Sequence, residues 1–492
     1  MRFHYHAMRC PLISFLVTAL VFGSPAWAAD IDLSAGDDEL LIEDDAGVLG
    51  GSDDGELAIE DEGDEFDLSI TEDGVLGAEG TDTGASSPGT ASSKAFSIKV
   101  DDIWAEAGHF YESDSPADNS AYFHTLISAQ WAPVGNWEAK LSGRLDSYHE
   151  TGDGDYDRTE LDYGESYIRY RGEGFRATVG AQKVMWGRID EVSPTDTLSV
   201  RDFSRGVLDY LPDRRRDAPV VRFEGFQGKY KLDAVWLPLF RKAKLPGRDS
   251  VWYPINRKKG EIIGLESTPA MSAAIKNANI DTNAPDTQGG GGFRFSGTEG
   301  VVDYALTAQR VRQSTPYFRY DPGRGELEAK YPLSWVYGGD LGVEAMGATW
   351  RFEAAWFSDT PVTRSNGGYT TTESINWATG VEFYPGDSDA RVVLQLIGTN
   401  LVDAPDVINR ESVYTFNGET SVPFLHQRWR FRSRFFIGVD KRDVYINPEI
   451  AFIAWEPHEI YLAGHYFEGD DGTVGDFYED DSLLTLGWRA EF

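Results

Sequence analysis

The sequence predicts an all-β chain that forms a transmembrane antiparallel β-barrel of 16 or 18 strands. Three observations support this fold class: alternation of apolar and polar residues from Phe96 onward, turns of alternating length, and a final segment, residues 481–492, that alternates and ends on Phe492. The chain holds 14 Trp, 23 Tyr, 27 Phe and 52 Gly. Such enrichment, with a negative mean hydropathy, is typical of strands that separate lipid from water, although composition alone also allows a soluble secreted β-protein.

The first 28 residues have the pattern of a secretory signal peptide. Arg2 and Arg9 come before an apolar run, and the small residues Ala26 and Ala28 follow it at the positions that a signal peptidase reads. The run is about a dozen residues, against roughly 20 for a membrane-spanning helix, so we expect cleavage after Ala28. Cys10 is the only cysteine and lies before the apolar run, so a lipid anchor, a disulfide or a cysteine-based site is not expected in the mature chain.

Residues 29–95 are predicted to form an acidic leader and a flexible linker without a fold of their own. Residues 30–82 hold 21 Asp and Glu, and the first basic residue after the signal is Lys94. Residues 37–50 recur in pattern as residues 64–77. Self-repelling, aromatic-poor sequence is typical of disorder, and the repeated apolar anchors suit docking on a basic periplasmic partner. A solvated spacer is the equal alternative, and a calcium site ranks third.

From Phe96 onward the alternation assigns two faces to each predicted strand. Trp137 and Leu141 share one face with Glu138 on the other, and residues 348–356 and 391–396 divide in the same way. A count gives about 17 strands, which is odd, whereas a bacterial barrel with both ends in the periplasm needs an even number. We expect the error within residues 400–442, where either a strand near 412–416 is hidden or residues 440–443 are not a turn.

Connections between these strands are predicted to be short on one rim and long on the other, which is the outer-membrane pattern. The short turns are predicted at residues 133–136, 172–174, 225–228, 298–300 and 385–389, and the long loops at 148–158, 187–219, 240–292, 314–331 and 359–372. The longest insertion, 240–292, opens with basic residues and could form a lid or plug with a helix in 269–279. Its basic half could instead bind lipopolysaccharide phosphates.

One segment interleaves four arginines, Arg428, Arg430, Arg432 and Arg434, with apolar or small residues. Arginines facing lipid would cost roughly 2–4 kcal/mol each near the bilayer midplane, so we expect them to face the lumen. There they would form a cationic ladder able to bind carboxylate or phosphate. The alternative is that they pair with lumen carboxylates to stiffen the barrel. The candidates for such pairing are Glu138, Glu165, Glu353 and Glu449.

A second candidate site is the long loop that follows Trp186. Its motif residues are Gly180, Ala181, Gln182, Trp186, Gly187, Asp190, Pro194 and Asp196. In these residues the chain resembles uncharacterised proteobacterial barrels in the wider group of alginate-export and substrate-selective porins. The resemblance implies that the loop folds inward as a constriction. The residues expected to line it with opposed charges are Asp190, Asp196, Arg201, Arg214, Arg215 and Arg216. A surface loop held by salt bridges is the alternative.

Taken together, the sequence predicts an outer-membrane channel of a Gram-negative bacterium, porin-like, that passes small polar or anionic solutes. The alternative is a barrel component of an export or envelope assembly that docks a periplasmic partner through residues 30–82. No zinc-protease histidine spacing and no Gly-x-Ser-x-Gly elbow occurs, so we expect neither an enzyme nor a metal or other cofactor. Expected partners are outer-membrane lipid, lipopolysaccharide, the barrel-assembly machinery and the solute, but not nucleic acid. Both termini are expected in the periplasm.

Overall fold

The computed structural model describes residues 96–132, 135–386, 389–404 and 406–492. The predicted signal peptide and acidic leader lie outside the described residues. Within the described part, eighteen strands form the wall of a closed antiparallel barrel. The strands β1 to β18 are, in chain order, Phe96–Phe110, Ala117–Trp131, Trp137–Gly152, Tyr156–Tyr163 with Ser166–Gly172 (β4), Phe175–Gln182, Ala218–Gln227, Tyr230–Leu237, Gly290–Glu299, Val302–Arg312, Leu333–Ala345, Ala348–Thr363, Tyr369–Phe383, Arg391–Val402, Ser412–Phe424, Trp429–Gly438, Asp443–Trp455, His458–Gly469 and Leu483–Glu491.

Strand β4 is built from two segments because the chain bends between them. Both segments pair with β3, the first from Gly143↔Tyr163 outward and the second from Lys140↔Tyr167 outward. Gly164, at the bend, donates its backbone N–H to the Ser142 carbonyl at 3.0 Å. The barrel closes where β1 pairs with β18, from Asp102↔Glu491 to Phe110↔Leu483.

The even strand number resolves the odd count from the sequence. Residues Ser412–Phe424 form a full strand, β14, so the strand predicted to be hidden near 412–416 exists. Residues 439–442 connect β15 to β16 and are a true turn. The predicted fold class, a barrel of 16 or 18 strands, is confirmed at 18 within the described residues.

The two faces of the strands differ as the alternation predicted. Large apolar side chains on the outer face are widely exposed, for example Leu141 at 68%, Leu306 at 65% and Phe293 at 62%. On the same or adjacent strands, Asp146 and Gln309 point inward and are fully buried. An apolar outer surface around a polar interior fits a bilayer outside and a hydrated lumen inside.

The connections after even-numbered strands are short, and the long ones all follow odd-numbered strands. The two longest are the β5–β6 loop, residues 183–217, and the β7–β8 loop, residues 238–289. Two predicted long loops are wrong in extent: β3 continues to Gly152 and β11 to Thr363, so only residues 153–155 and 364–368 separate them from the next strands. In both cases the two strands of the hairpin stay paired beyond the residues in which apolar and polar side chains alternate clearly.

A small cap of secondary structure lies in the long connections. The predicted helix in 269–279 is present as α1, Pro269–Asn277, where the Thr268 hydroxyl accepts from the Met271 N–H. Three short strands, Asn279–Asp281, Tyr317–Asp321 and Glu326–Lys330, form a separate sheet packed with it. A second helix, α2, spans Val474–Phe477. Neither of these described helices has the length and apolar character to cross a membrane.

Candidate functional site

The β5–β6 loop folds into the barrel and packs against its inner wall. It carries apolar residues that a surface loop would leave in water, and four of these, Val184, Trp186, Leu198 and Val200, are at most 3% exposed. They form one core with inward-facing residues of β6, β7, β9, β10 and β11. Burial of such side chains contributes about 1.5–3 kcal/mol each, so the loop is held by its own apolar content.

One carboxylate of the barrel wall, Glu353 on β11, anchors the first half of this loop by hydrogen bonds. Its side chain accepts five hydrogen bonds from the loop: from the backbone N–H groups of Arg188 (3.0 Å), Ile189 (3.4 Å) and Thr195 (2.7 Å), and from the hydroxyls of Ser193 (2.5 Å) and Thr195 (2.7 Å). Glu353 is only 3% exposed. A buried carboxylate that accepts this many hydrogen bonds fixes the loop backbone around it.

The loop approaches Glu353 closely because Gly187 lies between them. Gly187 has φ +106°, and a Cβ there would fall 1.9 Å from the Ser193 hydroxyl and 2.7 Å from a Glu353 carboxylate oxygen. Only glycine fits such a position. On the neighbouring strand β10, a Cβ at Gly338 would lie 2.9 Å from the Thr195 methyl group. This inward-facing glycine therefore leaves space for the loop.

Two charged residues at the tip of this half-loop reach the wall. The Arg188 guanidinium donates to Asp340 of β10 at 2.5 Å and lies 3.4 Å from Asp303 of β9. Asp190 accepts from Arg351 of β11 at 2.8 Å and from Gln395 of β13 at 3.0 Å. The side chain of Asp190 remains 42% exposed, the largest exposed fraction among the predicted residues of this loop.

The second half of the loop is anchored on the opposite side of the barrel. Arg205 pairs with Glu106 of β1 and with Asp209 at 2.8 Å, and its guanidinium lies over the rings of Trp104 and Tyr122. Strand β1 is diametrically opposite β10 in an 18-strand ring. The loop therefore crosses the barrel interior. Asp209 belongs to the loop and not to a strand. Burial raises the pKa of its carboxyl to about 6, although the nearby Arg205 lowers that pKa.

The predicted arginine ladder divides into three environments. Arg428 lies in the exposed turn between β14 and β15. Arg430 bonds Glu459 at 2.7 Å and lies 3.5 Å from Glu449, while Arg432 stacks over Tyr210 of the loop and lies 3.9 Å from Glu419.

Arg434 occupies the third environment. Its side chain is 1% exposed, and it donates to the loop carbonyls of Val207, Leu208 and Asp209. Three members of the predicted ladder, Arg430, Arg432 and Arg434, thus face inward, and the most buried of them, Arg434, holds the loop. The fourth, Arg428, was expected to line the lumen and is instead in the exposed β14–β15 turn.

The remaining predicted loop residues form ion pairs. Asp196 is buried and accepts from Arg201 at 3.2 Å and from Arg215 at 2.7 Å. Arg214 bonds Glu191 at 2.5 Å, and Arg216 bonds Asp162 of β4. Opposed charges are therefore present, and most of them are used within the loop or between the loop and the wall. Whether any of them contacts a solute stays a prediction.

Of the four carboxylates proposed as ladder partners, only Glu449 contacts the ladder, through Arg430. Glu138 accepts from Arg171 at 3.0 Å and Glu165 from Lys140 at 3.3 Å, both on the wall. The role of Glu353 was not visible in the sequence, because its partners are mostly loop N–H groups and hydroxyls about 160 residues earlier in the chain. The sequence offered one signal for this role: a carboxylate on the inward face of a strand, together with a long loop that contains Ser, Thr and Gly.

The β7–β8 loop also bends over the interior and contacts the β5–β6 loop. The Lys244 ammonium lies 3.3 Å from Asp146 of β3 and 2.8 Å from Glu160 of β4, and the backbone N–H of Lys244 donates to the Arg201 carbonyl. Further along, Trp252 packs against inward residues of β1 and β17. The two loops together narrow the barrel from its long-loop rim.

No protein-family model matches this chain, and no curated protein matches it in sequence. Solved structures that are similar include OccAB1 of Acinetobacter baumannii, with 8% identity and a TM-score of 0.48 over 81% of this chain and 96% of that chain. Others are the outer membrane channel DcaP of Acinetobacter baumannii, with 9% identity and a TM-score of 0.40 over 82% and 99%, and OmpF of Salmonella typhi in complex with daunomycin, with 7% identity and a TM-score of 0.41 over 81% and 97%.

These similarities carry no information about a ligand, and the predicted grouping with alginate-export barrels is not supported by them. The class of protein follows from this chain itself. A closed antiparallel barrel with exposed apolar side chains outside and ion-paired side chains inside is an outer-membrane β-barrel.

Proposed function

We propose that the protein is an outer-membrane channel for small polar or anionic solutes, in which pore shape and lumen charge set selectivity. The observation that carries the proposal is the β5–β6 loop, which is anchored to opposite walls of the barrel through Arg205–Glu106 and Arg188–Asp340. A barrel of 16 to 18 strands is wide enough to hold an aqueous channel. A loop fixed across it narrows the lumen to the scale of a solute, and no covalent chemistry is needed.

The proposed orientation places the short-turn rim in the periplasm and the long loops outside. The start of β1 and the end of β18 both lie at the short-turn rim, as the register Asp102↔Glu491 requires. Short periplasmic turns and long external loops are the usual arrangement in such barrels. Solute would then enter from the side of the β7–β8 loop and pass the β5–β6 loop on its way inward.

Reconstitution of the purified protein in planar lipid bilayers tests the channel. We expect stepwise conductance in KCl, with both the full chain and a variant that starts at Phe96. Absence of conductance from both proteins, when each shows the heat-modifiable electrophoretic mobility of a folded barrel, would contradict the proposal. The shorter variant also tests whether the segment before Phe96 affects conduction.

The double substitution Arg430→Gln and Arg432→Gln is expected to shift the selectivity of the pore toward cations. It removes two positive charges, so Glu459 loses its bond to Arg430, and Glu419 and Glu449 keep only Arg391 and Arg489 nearby. The reversal potential in a KCl gradient measures the shift. Arg442→Gln is the matched control, because Arg442 is 54% exposed in the β15–β16 turn. An unchanged reversal potential in the double variant would mean that the two arginines act only in wall structure.

A further inference from the structure

A cavity of about 440 Å³ lies between the inner face of β4 and the β7–β8 loop. It is separate from Glu353 and its hydrogen bonds, on another part of the wall. Its size falls in the range of roughly 300–1,000 Å³ that is typical of small-molecule sites. Its lining includes Arg158, Glu160, Asp162, Lys242, Arg248 and Tyr253.

Positive charge dominates the lining of this cavity. Five basic residues contribute to it, and only two carboxylates, Glu160 and Asp162, do so. Each carboxylate is shared by two cations: Glu160 bonds Arg158 at 2.6 Å and Lys244 at 2.8 Å. Asp162 bonds Arg216 and, at 2.6 Å, Arg241, which stands just behind the lining. The acidic groups are therefore saturated by cations that belong to the wall and the loops.

Two of the basic residues keep their charge available to a ligand. The Lys242 ammonium donates to the Thr282 carbonyl at 2.7 Å, and the Arg248 guanidinium donates to the Ile280 carbonyl at 2.8 Å. Among the described residues neither forms a salt bridge, although Asp281 attracts Lys242 at longer range. A carbonyl neutralises no charge, and lysine has three donors and arginine five, so donors remain for an oxyanion.

The lining also contains apolar and aromatic residues. Among them are Leu245, Pro246 and Tyr331, and Tyr331 is 6% exposed. The Tyr253 hydroxyl is buried next to the Arg248 guanidinium. It adds a polar group, able to donate or accept, beside the cation that we assign to the ligand.

We infer that this cavity captures a small organic anion, with a carboxylate or phosphate group held by Lys242 and Arg248 and an apolar body against Leu245, Pro246 and Tyr331. The inference deepens the proposed channel function and rests on it: the cavity is the first binding site that a solute meets before the β5–β6 loop. Cationic groups in a concave wall concentrate anions locally, which compensates for a chain whose net charge is −36.

A free solute fits the cavity better than a lipopolysaccharide phosphate does. The residues Arg158, Glu160 and Asp162 lie on the inner face of β4, on the side where Arg216 and Lys244 of the two long loops contact them. Only one lining residue of β4, Leu161, points outward, and it is 84% exposed. Most of the charged lining, including Arg158, Glu160 and the buried Lys244, is thus on the lumen side of β4, which favours a molecule that enters the lumen.

The test is calorimetric titration of the detergent-solubilised full chain with phenylacetate, phenyl phosphate and the neutral analogue phenylacetamide. We expect both anions to bind and the amide not to bind, and the stronger anion identifies the head group. The double substitution Lys242→Gln and Arg248→Gln should weaken anion binding about ten-fold or more, because it removes both available cations. Blockade of the KCl current by the same anions should weaken in parallel.

Arg257→Gln with Lys258→Gln is the matched control, because both residues are exposed cations of the same loop that do not line the cavity. Equal binding of anion and amide, unchanged affinity in the Lys242/Arg248 variant, or the same loss in the control would overturn the inference. The inference would also be overturned if the Lys242/Arg248 variant lost retention on lipid A vesicles but still bound the probes. Calorimetry needs no conductance, so the two proposals can fail separately. Anion binding without current would contradict the channel function but support the binding site. Current without anion binding would support the channel function but contradict the binding site.

Discussion

Glu353→Ala is expected to raise the single-channel conductance and the current noise of the protein, because the first half of the β5–β6 loop leaves the wall. The substitution removes the acceptor of five hydrogen bonds made by Arg188, Ile189, Ser193 and Thr195. Hydrogen bonds to a charged group contribute about 1.5–3 kcal/mol each. A net loss of only about 3 kcal/mol would increase the population of the released loop about 100-fold.

Two further variants separate the anchor from the general effect of a lost lumen charge. Glu353→Gln keeps the shape and part of the acceptor capacity, so an intermediate conductance is expected. Glu138→Ala removes a lumen carboxylate whose partners, Tyr167 and Arg171, are on the wall, so it should leave conductance near that of the unaltered protein. If Glu353→Ala and Glu138→Ala change conductance equally, charge alone is responsible and the loop does not constrict the pore.

Arg434→Met is expected to release the second half of the same loop and expose its arginine run to trypsin. The fully buried guanidinium donates to three loop carbonyls and to the Tyr445 hydroxyl, and methionine has no donor to replace these hydrogen bonds. Removing one partner of a buried charged network costs about 3–5 kcal/mol. Because proteolysis follows the population of the open form, cleavage at residues 214–216 should accelerate about 100-fold or more.

The measurement is the rate of tryptic cleavage on folded protein, identified by its heat-modifiable mobility and by mass spectrometry of the fragments. Arg391→Met is the matched control, because Arg391 bonds Glu382 and lies near Glu419, both on the wall. Cleavage of the Arg434 variant at the rate of the control, in a protein whose barrel is intact, would show that the loop is held without Arg434.

Features that depend on neighbouring residues could be predicted from the sequence. The alternation of Trp137, Glu138 and Leu141 fixes which side chains face lipid, because successive residues of a strand point to opposite faces. The same reasoning placed Arg430, Arg432 and Arg434 on the inner face, and glycine, proline and polar clusters located most turns. The odd strand count failed only where β14 has weak alternation, and its pairing with β13 and β15 supplied the missing strand.

The site needed the closed barrel. Nothing near Glu353 in sequence shows that it binds residues 188–195, and nothing near Arg434 shows that its guanidinium ends against Val207, Leu208 and Asp209. These contacts join parts of the chain about 160 and 225 residues apart. The sequence determined the strands, their two faces and the presence of a charged, partly apolar loop. Closure of the barrel decided that the loop crosses the interior, because only there do its buried side chains and backbone N–H groups find partners.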